Sequence, residues 1–454
     1  MDLFVVVLHK DLDKIYPRMI DIDKILNNIE MDNLIIPFGR IHKINSTTVV
    51  ASGLIVAIGD VVKIESEKHL YTVLGMVASI IDEEFTIVPF SFVDGFRIKD
   101  KVYLQKDGLS VKCGYGLLGR VINALGEPID DKGKIQNLEE TSPINKDSIS
   151  PLKRGIINQK FATGVKAIDS MLTCGKGQKV GIFAGSGVGK STLMGMIVKG
   201  CEAQIKVIAL IGERGREIPE FIHYNLENNL ENTIIITATS DESSLMRKYG
   251  AFTAMAIAEF FRDKGHDVLL MMDSVTRFAM AQREIGLSTG EPPGRGGYPP
   301  SVFALLPQLM ERAGANEKGT ITAFFTVLVD GDDMNDPIAD QSRSILDGHI
   351  ILTRELTEQG FYPPIDLLQS ASRVIDKVIS KDQYNGFLKL KRILSLVKEN
   401  EVLIRVGAYK KGMDMELDKA IAKKDKVREF LTQDVSEKHS YEEVLKKFLE
   451  VTRD

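Results

Sequence analysis

One glycine-rich stretch, residues 181–192, constrains the fold of this chain more than any other. It reads Gly-Ile-Phe-Ala-Gly-Ser-Gly-Val-Gly-Lys-Ser-Thr. The apolar run at 180–183 predicts a buried strand, and the apolar run at 193–199 predicts a helix. A strand, a glycine loop and a helix in this order form the context that a phosphate-binding P-loop requires.

The residues of this loop are predicted to bind an anion through main-chain amides. Its glycines let the backbone curl so that successive N–H groups point at one anion, and the helix N-terminus adds its dipole. Lys190 is predicted to reach the outer phosphates, and the Ser191 hydroxyl to ligate Mg²⁺. The candidate phosphate-binding residues are Gly185, Ser186, Gly187, Val188, Gly189, Lys190, Ser191 and Thr192. The alternative is an ordinary glycine-rich turn, and Ala184 indeed stands where the P-loop pattern has its first glycine.

The composition indicates a globular protein of two or three domains. The 454 residues are 27% charged and 44% hydrophobic, with a net charge of −5 and no tryptophan, which gives no indication of a nucleic-acid surface. Three widely spaced cysteines predict neither a disulfide framework nor a zinc site, and a reducing cytosol fits them best. The apolar residues 3–8 are too few to span a bilayer and predict either a short strand or a membrane-facing tip.

The beginning of the chain predicts a helix followed by a β-barrel. Apolar residues at helical spacing between 15 and 29 predict a helix that either packs on its own domain or binds a partner. From 33 to 94 the sequence has short β-rich runs, about ten residues apart and separated by turns, which predict a small closed barrel. These runs are 34–39, 47–51, 54–57, 61–65, 70–79 and 85–89.

From about residue 163 strands and helices alternate. The apolar runs are too continuous for half-exposed strands, so they predict a doubly wound, mainly parallel sheet that is covered on both faces and binds nucleotide at the carboxyl ends of its strands. These runs are 180–183, 206–211, 233–237, 268–272 and 321–329, with helical segments such as 250–264 between them. From 374 onward the pattern is helical and predicts a C-terminal helical domain, interrupted at 407–412.

Two of the predicted strands are followed by carboxylates. Asp273 ends the run at 268–272, where it is predicted to bind Mg²⁺ through water, although an aspartate there is also common as a helix cap. Glu213 follows the run at 206–211 and is predicted to polarise a water for attack on a γ-phosphate, with Arg214 stabilising the transferred charge. The alternative for this second segment is a loop of solvated charges.

Three further features are consistent with function but have simpler explanations. The loop at 286–300 is too rich in Gly and Pro for regular structure, so it is either functional or disordered. Tyr362 offers an aromatic face, although a tyrosine here is also typical of a packed core. Arg373 offers a cation, although an arginine here is also typical of a surface salt bridge.

Six motifs together resemble the type III secretion ATPases, in particular their flagellar export branch, over nearly the whole chain. This family is similar in turn to the catalytic β subunit of rotary ATP synthases, and Ala184 is its own variant of the P-loop. The motifs are Thr-Gly-Val-Lys-Ala-Ile-Asp at 163–169, the P-loop segment at 177–192, Gly-Glu-Arg-Gly-Arg-Glu at 212–217, Met-Asp-Ser-Val-Thr-Arg-Phe-Ala at 272–279, Gly-Asp-Asp-Met-Asn-Asp-Pro-Ile-Ala-Asp at 331–340 and Ile-Leu-Asp-Gly-His-Ile at 345–350.

The resemblance implies four segments and a ring of six chains with nucleotide between neighbours. The segments are an N-terminal helical partner-binding segment at 1–32, a β-barrel at 33–97, a RecA-like P-loop ATPase domain at 98–375 and a helical C-terminal domain at 376–454. It also implies roles for the site residues, with ATP and Mg²⁺ as cofactors. Lys190 would hold the phosphates, Ser191 the magnesium, Glu213 the attacking water and Asp273 the water shell of the metal, while Arg214 belongs to the same catalytic set, Tyr362 packs on adenine and Arg373 is a finger reaching into the neighbouring chain's site.

The activity implied is Mg-dependent ATP hydrolysis that energises unfolding and export of flagellar proteins, at the cytoplasmic face of the inner membrane. The implied partners are the other chains of a homohexamer, a stator-like regulator at the N-terminal helix, a central stalk protein, the export gate, and export substrates with their chaperones, with no nucleic acid. Three alternatives remain: the ATPase of a virulence-type injectisome, a non-catalytic ring subunit, and a nucleic-acid translocase. Non-catalytic subunits carry glutamine in place of Glu213, and a translocase would need a basic, aromatic N-terminal domain that residues 33–94 do not supply.

Overall fold

The computed structural model describes residues 36–66, 71–329 and 333–453. The predicted N-terminal helix, the apolar run at 3–8 and two residues of the motif at 331–340 lie outside these ranges.

Six antiparallel strands form a closed barrel at the beginning of the described chain. They follow one another around the barrel in the order β1-β2-β5-β4-β3-β6, and β6 pairs with β1 to close it. The strands are β1 (Phe38–Ile44), β2 (Val49–Ser52), β3 (Val61–Glu65), β4 (Thr72–Ile81), β5 (Glu84–Pro89) and β6 (Lys101–Leu104). The predicted barrel is therefore confirmed.

Two details of the barrel prediction were wrong. The barrel does not end at residue 97, because β6 at Lys101–Leu104 supplies the strand that closes it. No strand forms at 54–57, because Gly53 turns the chain at φ 79° and the Ala57 amide donates a hydrogen bond to Asp60 Oδ2 in the following turn. Ile55 is consequently 96% exposed.

A nine-stranded sheet forms the centre of the molecule. The path of the sheet is β19-β18-β12-β17-β15-β13-β14-β8, with β16 paired to β17, and its six central pairings are all parallel. Its strands are β8 (Val121–Asn123), β12 (Lys179–Ala184), β13 (Ile205–Ile211), β14 (Thr233–Ala238), β15 (Asp267–Asp273), β16 (Gly314–Ala315), β17 (Thr320–Leu328), β18 (Gly348–Leu352) and β19 (Ala371–Ser372). Two small pairs complete the strands: β7 (Ser110–Cys113) with β9 (Glu140–Pro143), and β10 (Lys160–Phe161) with β11 (Cys174–Gly175).

Helices cover both faces of this sheet, and the last described helix ends at Thr452. They are α1 (Lys166–Met171), α2 (Lys190–Gly200), α3 (Glu217–Glu220), α4 (Ser244–Asp263), α5 (Val275–Ser288), α6 (Pro300–Met310), α7 (Pro337–Ile345), α8 (Arg354–Glu358), α9 (Ile375–Val378), α10 (Lys381–Glu399), α11 (Glu401–Arg405), α12 (Met415–Leu431) and α13 (Tyr441–Thr452). Within the described ranges no helix is long and apolar enough to cross a membrane.

Alternate residues of one strand enter two different cores, which is why the strand sequences are continuously apolar. Val207 and Ala209 of β13 belong to the core that contains α4 and α5, whereas Ile208 and Leu210 belong to the core that contains α2 and part of the C-terminal helices. The doubly wound sheet and the helical C-terminal region are therefore confirmed. Loop 286–300 is shorter than predicted, because α5 continues to Ser288 and one turn forms at Arg295–Gly297.

Candidate nucleotide site

The P-loop connects β12 to α2 at the carboxyl edge of the sheet. Gly187 and Gly189 have φ of 77° and 102°, a left-handed conformation that residues with a side chain rarely adopt. These glycines reverse the chain so that α2 begins directly at Lys190. The sequence therefore folds here as the motif predicts, with the helix N-terminus facing the place where an anion would bind.

Lys190 lies between two carboxylates that follow neighbouring strands. Its ammonium donates a hydrogen bond to Asp273 Oδ1 and lies 3.6 Å from Glu213 Oε1. Asp273 is 4% exposed, and the Thr326 hydroxyl also donates to its Oδ1, at 2.6 Å. Burial alone would lower the pKa of Lys190, but the two carboxylates outweigh burial and raise the pKa above its ordinary value.

Glu213 is the second carboxylate beside the Lys190 ammonium. Its side chain is 16% exposed, and its Oε1 is buried without a hydrogen-bond partner among the described residues. Burial, together with the negative charges of Asp273 and Glu217, raises the pKa of Glu213 to about 7, although Lys190 opposes this shift. A carboxyl group with this pKa can exchange a proton near neutral pH.

A cavity of about 540 Å³ lies over these groups. Its wall includes the P-loop, both carboxylates and Arg214, whose side chain is 70% exposed and lies 3.7 Å from Glu217 Oε1. The structure therefore brings together most of the residues that the sequence indicated: Gly185, Ser186, Gly187, Gly189, Lys190, Ser191, Thr192, Glu213, Arg214 and Asp273. Val188 is buried beneath the loop.

The same cavity is lined by residues that sequence reasoning missed. Arg277 lines the cavity, its Nη1 lies 3.7 Å from Met280 Sδ, and its Nε is buried without a hydrogen-bond partner in the described structure. Gly212 makes room for it, because a Cβ there would lie 2.7 Å from Arg277 Cβ. Asn225 also lines the cavity and donates a hydrogen bond to the Ser191 carbonyl at 2.8 Å. Arg277 could have been found from its place in the first turn of the helix that follows Asp273, whereas Asn225 has no sequence signal.

Tyr362 and Arg373 lie outside the wall of this cavity as the structure describes it. Tyr362 is 43% exposed and lines an adjoining cavity of about 1440 Å³, which it shares with Thr192 at the end of the P-loop. Arg373 is exposed and donates a hydrogen bond to the Arg343 carbonyl at 3.2 Å. It follows β19, which pairs with the first residues of β18, at the sheet edge opposite the P-loop.

The donor set fits a magnesium ion that arrives with its nucleotide. In the ranges that the structure describes, no group of three His, Cys, Asp or Glu side chains could hold a metal alone. Ser191, exposed at the start of α2, and Asp273 are oxygen donors lining one cavity. Mg²⁺ prefers oxygen ligands and keeps several waters, so one or two protein oxygens plus phosphate oxygens are sufficient.

Comparisons with known proteins identify the family to which the chain is similar. The nucleotide-binding domain of the ATP synthase alpha/beta family matches residues 164–372, and the type III secretion EscN ATPase C-terminal domain matches residues 379–450. The flagellum-specific ATP synthase of Helicobacter pylori strain J99 is 57% identical over 417 residues, covering 92% of this chain and 96% of the relative. The type 3 secretion system ATPase of Xanthomonas euvesicatoria is 43% identical over 418 residues, covering 92% of this chain and 94% of the relative.

A solved structure is similar over the same range. The assembled ATPase EscN of the enteropathogenic E. coli type III secretion system superposes with a TM-score of 0.87 at 44% identity, covering 91% of this chain and 100% of EscN. EscN has also been solved in complex with its central stalk EscO, and that structure gives a TM-score of 0.85 at 43% identity, covering 91% of this chain and 100% of that one. With its P-loop site and these relatives, the chain belongs to the family of flagellum-specific ATP synthases and type III secretion ATPases, and it is an ATPase.

Proposed function

We propose that this chain hydrolyses ATP as one subunit of a homohexameric ring and that the energy drives unfolding and export of flagellar proteins. The observation that carries the proposal is Glu213, a carboxylate with a raised pKa beside the P-loop lysine, where a non-catalytic ring subunit has glutamine. The flagellar assignment is supported by the identity of 57% to a flagellum-specific relative, against 43% to a secretion-system ATPase. The injectisome remains the second candidate.

Hydrolysis in this site depends on positioning and on charge. The P-loop amides and Lys190 hold the phosphates of ATP, and Glu213 accepts a proton from the attacking water. Arg214 and Arg277 supply positive charge where negative charge builds up on the transferred phosphoryl oxygens. No covalent intermediate is needed, because each group only orients a reactant or moves a proton.

Magnesium would be held by the Ser191 hydroxyl and, through water, by Asp273. Such an ion neutralises negative charge on the phosphate oxygens when it is bound. Asp273 is paired with Lys190 in the structure, so phosphate oxygens that draw Lys190 away would leave the carboxylate available to a cation. The base of ATP is proposed to stack on Tyr362, since its cavity begins at Thr192, where the P-loop ends.

Arg373 is proposed to act on the site of a neighbouring chain. It lies at the opposite sheet edge from its own P-loop and is exposed, both of which an arginine finger acting in trans requires. Assembly is supported by the relative EscN, which has been solved in an assembled form.

The proposed partners extend beyond the ring. A central stalk protein is supported by the EscN–EscO complex. A stator-like regulator at residues 1–32, an export gate at the inner membrane, and export substrates with their chaperones complete the proposed machine, which would act at the cytoplasmic face of that membrane. These partners follow from the family resemblance.

The test is a comparison of the wild type with Glu213→Gln. We expect wild-type hydrolysis to require Mg²⁺, and the variant to bind ATP with similar affinity but to lose turnover, because the amide cannot take a proton from water. Undiminished hydrolysis by Glu213→Gln would remove Glu213 from the mechanism. A wild type that binds ATP but does not hydrolyse it, even when assembled, would favour the non-catalytic ring subunit.

A further inference from the structure

The short helix α8 contacts the outer side of the P-loop. Arg354 Nη2 donates a hydrogen bond to the Ser186 carbonyl at 3.2 Å. The Thr357 hydroxyl lies 3.4 Å from the Val188 carbonyl and 3.2 Å from the Thr353 carbonyl, so the two carbonyls share its one proton. Neither side chain belongs to the described wall of the nucleotide cavity. Both contacts are made to backbone carbonyl oxygens of the loop.

These two carbonyls determine where the next two amides point. A trans peptide is planar, so its C=O and the following N–H point in opposite directions. A hydrogen bond that holds the Ser186 carbonyl outward therefore holds the Gly187 N–H inward, and the same relation links Val188 to Gly189. Glycine has the widest conformational freedom of any residue, so these are the amides that most need an external constraint.

The other end of this helix is attached to the C-terminal helices. Arg428 of α12 donates a hydrogen bond from Nη2 to the carbonyl of Gln359, the residue directly after α8, at 2.8 Å. The same guanidinium lies 5.8 Å from the centre of the Phe361 ring. Leu356, in the middle of α8, packs against the core that α12 shares with the sheet. The C-terminal helices thus contact the P-loop through one intervening helix.

We propose that Arg354 and Thr357 are positioning residues that orient the Gly187 and Gly189 amides toward the phosphates of the nucleotide, and that Arg428 fixes the helix carrying them. Arg354 acts here through the loop backbone and does not touch the ligand. The role rests on the nucleotide binding proposed above and adds to it a connection between the C-terminal helices and phosphate affinity.

The test measures the affinity of purified protein for ADP and for adenosine by competition with a fluorescent nucleotide. Arg354→Ala should weaken ADP binding about tenfold, as expected for loss of one charge-assisted hydrogen bond, and leave adenosine binding unchanged. The KM for ATP should rise by a similar factor while kcat changes less than about twofold, because the chemistry of the bound state is retained. Arg354→Lys should recover part of the affinity.

Two matched comparisons separate this role from a structural one. Thr357→Val removes the hydroxyl at nearly constant volume and should weaken ADP binding about threefold, whereas Thr357→Ser should not. Arg295→Ala is the control. Arg295 is another exposed arginine, and it pairs with Asp340 at a distance of 3.1 Å, so its loss should leave ADP affinity unchanged. The double variant Arg428→Ala with Arg354→Ala should lose less ADP affinity than the product of the two single losses, because Arg428 acts through the helix that carries Arg354.

Equal ADP affinities for Arg354→Ala and Arg295→Ala would overturn the proposal, as would equal losses of ADP and adenosine binding. If Arg354→Ala does not fold, Thr357→Val against Thr357→Ser decides the question. A wild type that binds adenosine and ADP equally well would instead contradict phosphate binding by the P-loop, and with it the proposed function.

Discussion

The Lys190 ammonium donates a hydrogen bond to Asp273 Oδ1, so the P-loop lysine and the strand-end aspartate neutralise each other across the nucleotide cavity. Removing Lys190 leaves the buried Asp273 carboxylate without its ion-pair partner. We therefore expect Lys190→Ala to lower the free energy of unfolding of the nucleotide-free protein by about 3–5 kcal/mol. Urea unfolding monitored by circular dichroism measures this loss.

The matched variant is Lys190→Ala combined with Asp273→Asn. The second substitution removes the stranded charge while the Thr326 hydroxyl can still hydrogen-bond to the side chain, so it should recover most of the lost stability. Additive losses in the double variant would mean that the two charges do not depend on each other.

The raised pKa of Glu213 predicts a pH dependence of activity. Ionised Glu213 is the form that accepts a proton, so kcat/KM for ATP should fall about tenfold per pH unit below the pKa of about 7. Because the charge of Glu217 contributes to this raised pKa, Glu217→Gln should lower the pKa and move the acid limb to lower pH. The exposed Glu220, in the same short helix, offers Glu220→Gln as the control. An acid limb that stays in place in Glu217→Gln would assign it to another group.

The same pKa also predicts a pH dependence of stability. The pKa of Glu213 in the folded protein is about 7, above the ordinary value of 4.5, so the folded state binds this proton more tightly than the unfolded state does. The free energy of unfolding should therefore fall as pH rises from about 4.5 to about 7. Glu213→Gln should therefore raise the melting temperature of the nucleotide-free protein at pH 8, on the order of 1 °C, and not at pH 4. Differential scanning calorimetry at the two pH values measures it, and an equal shift at both would contradict the titration.

Gly195 of α2 makes room for Asn225, and this packing can be tested sterically. A Cβ at Gly195 would lie 2.7 Å from Asn225 Cβ, so Gly195→Ala should displace Asn225 from the Ser191 carbonyl and cost about 1–3 kcal/mol of stability. Nothing lies within 4 Å of a Cβ built at Gly215, so Gly215→Ala is the stability control. Recovery of stability in Gly195→Ala with Asn225→Gly would support the steric cause, and unchanged stability of the single variant would contradict it.

Local patterns predicted the parts of the fold that local chemistry determines. The five long strands of the sheet and the P-loop follow from continuous apolar runs and from glycines with positive φ. The strands of the sheet that were missed, β8, β16, β18 and β19, have two to five residues each, and they form by pairing with neighbouring strands. The strand predicted at 54–57 does not form, because Gly53 turns the chain and Asp60 accepts a hydrogen bond from the Ala57 amide in the following turn.

For the candidate site, too, the sequence predicted the residues that local patterns mark. Glu213 and Asp273 could be placed because each follows an apolar run, and Lys190 because it follows a glycine loop between a predicted strand and a predicted helix. The contacts of Arg354 with the P-loop and of Asn225 with α2 join segments that are far apart in sequence, 168 and 34 residues respectively, so no local pattern reports them.

Arg373→Ala tests whether the finger acts across an interface. The variant should fold and bind nucleotide but hydrolyse ATP roughly 10³-fold more slowly, as expected for loss of an arginine finger. Mixing it with Lys190→Ala should restore part of the activity, because each chain supplies the group that the other lacks. Normal activity of Arg373→Ala alone would exclude the finger assignment.

The most direct test of the central claim, an ATPase whose site is completed by its neighbour, is ATP hydrolysis per chain measured against protein concentration, with light scattering to report assembly. We predict that activity per wild-type chain rises as oligomers appear, and that Arg373→Ala assembles without this rise. Full activity in monomeric protein would contradict the claim.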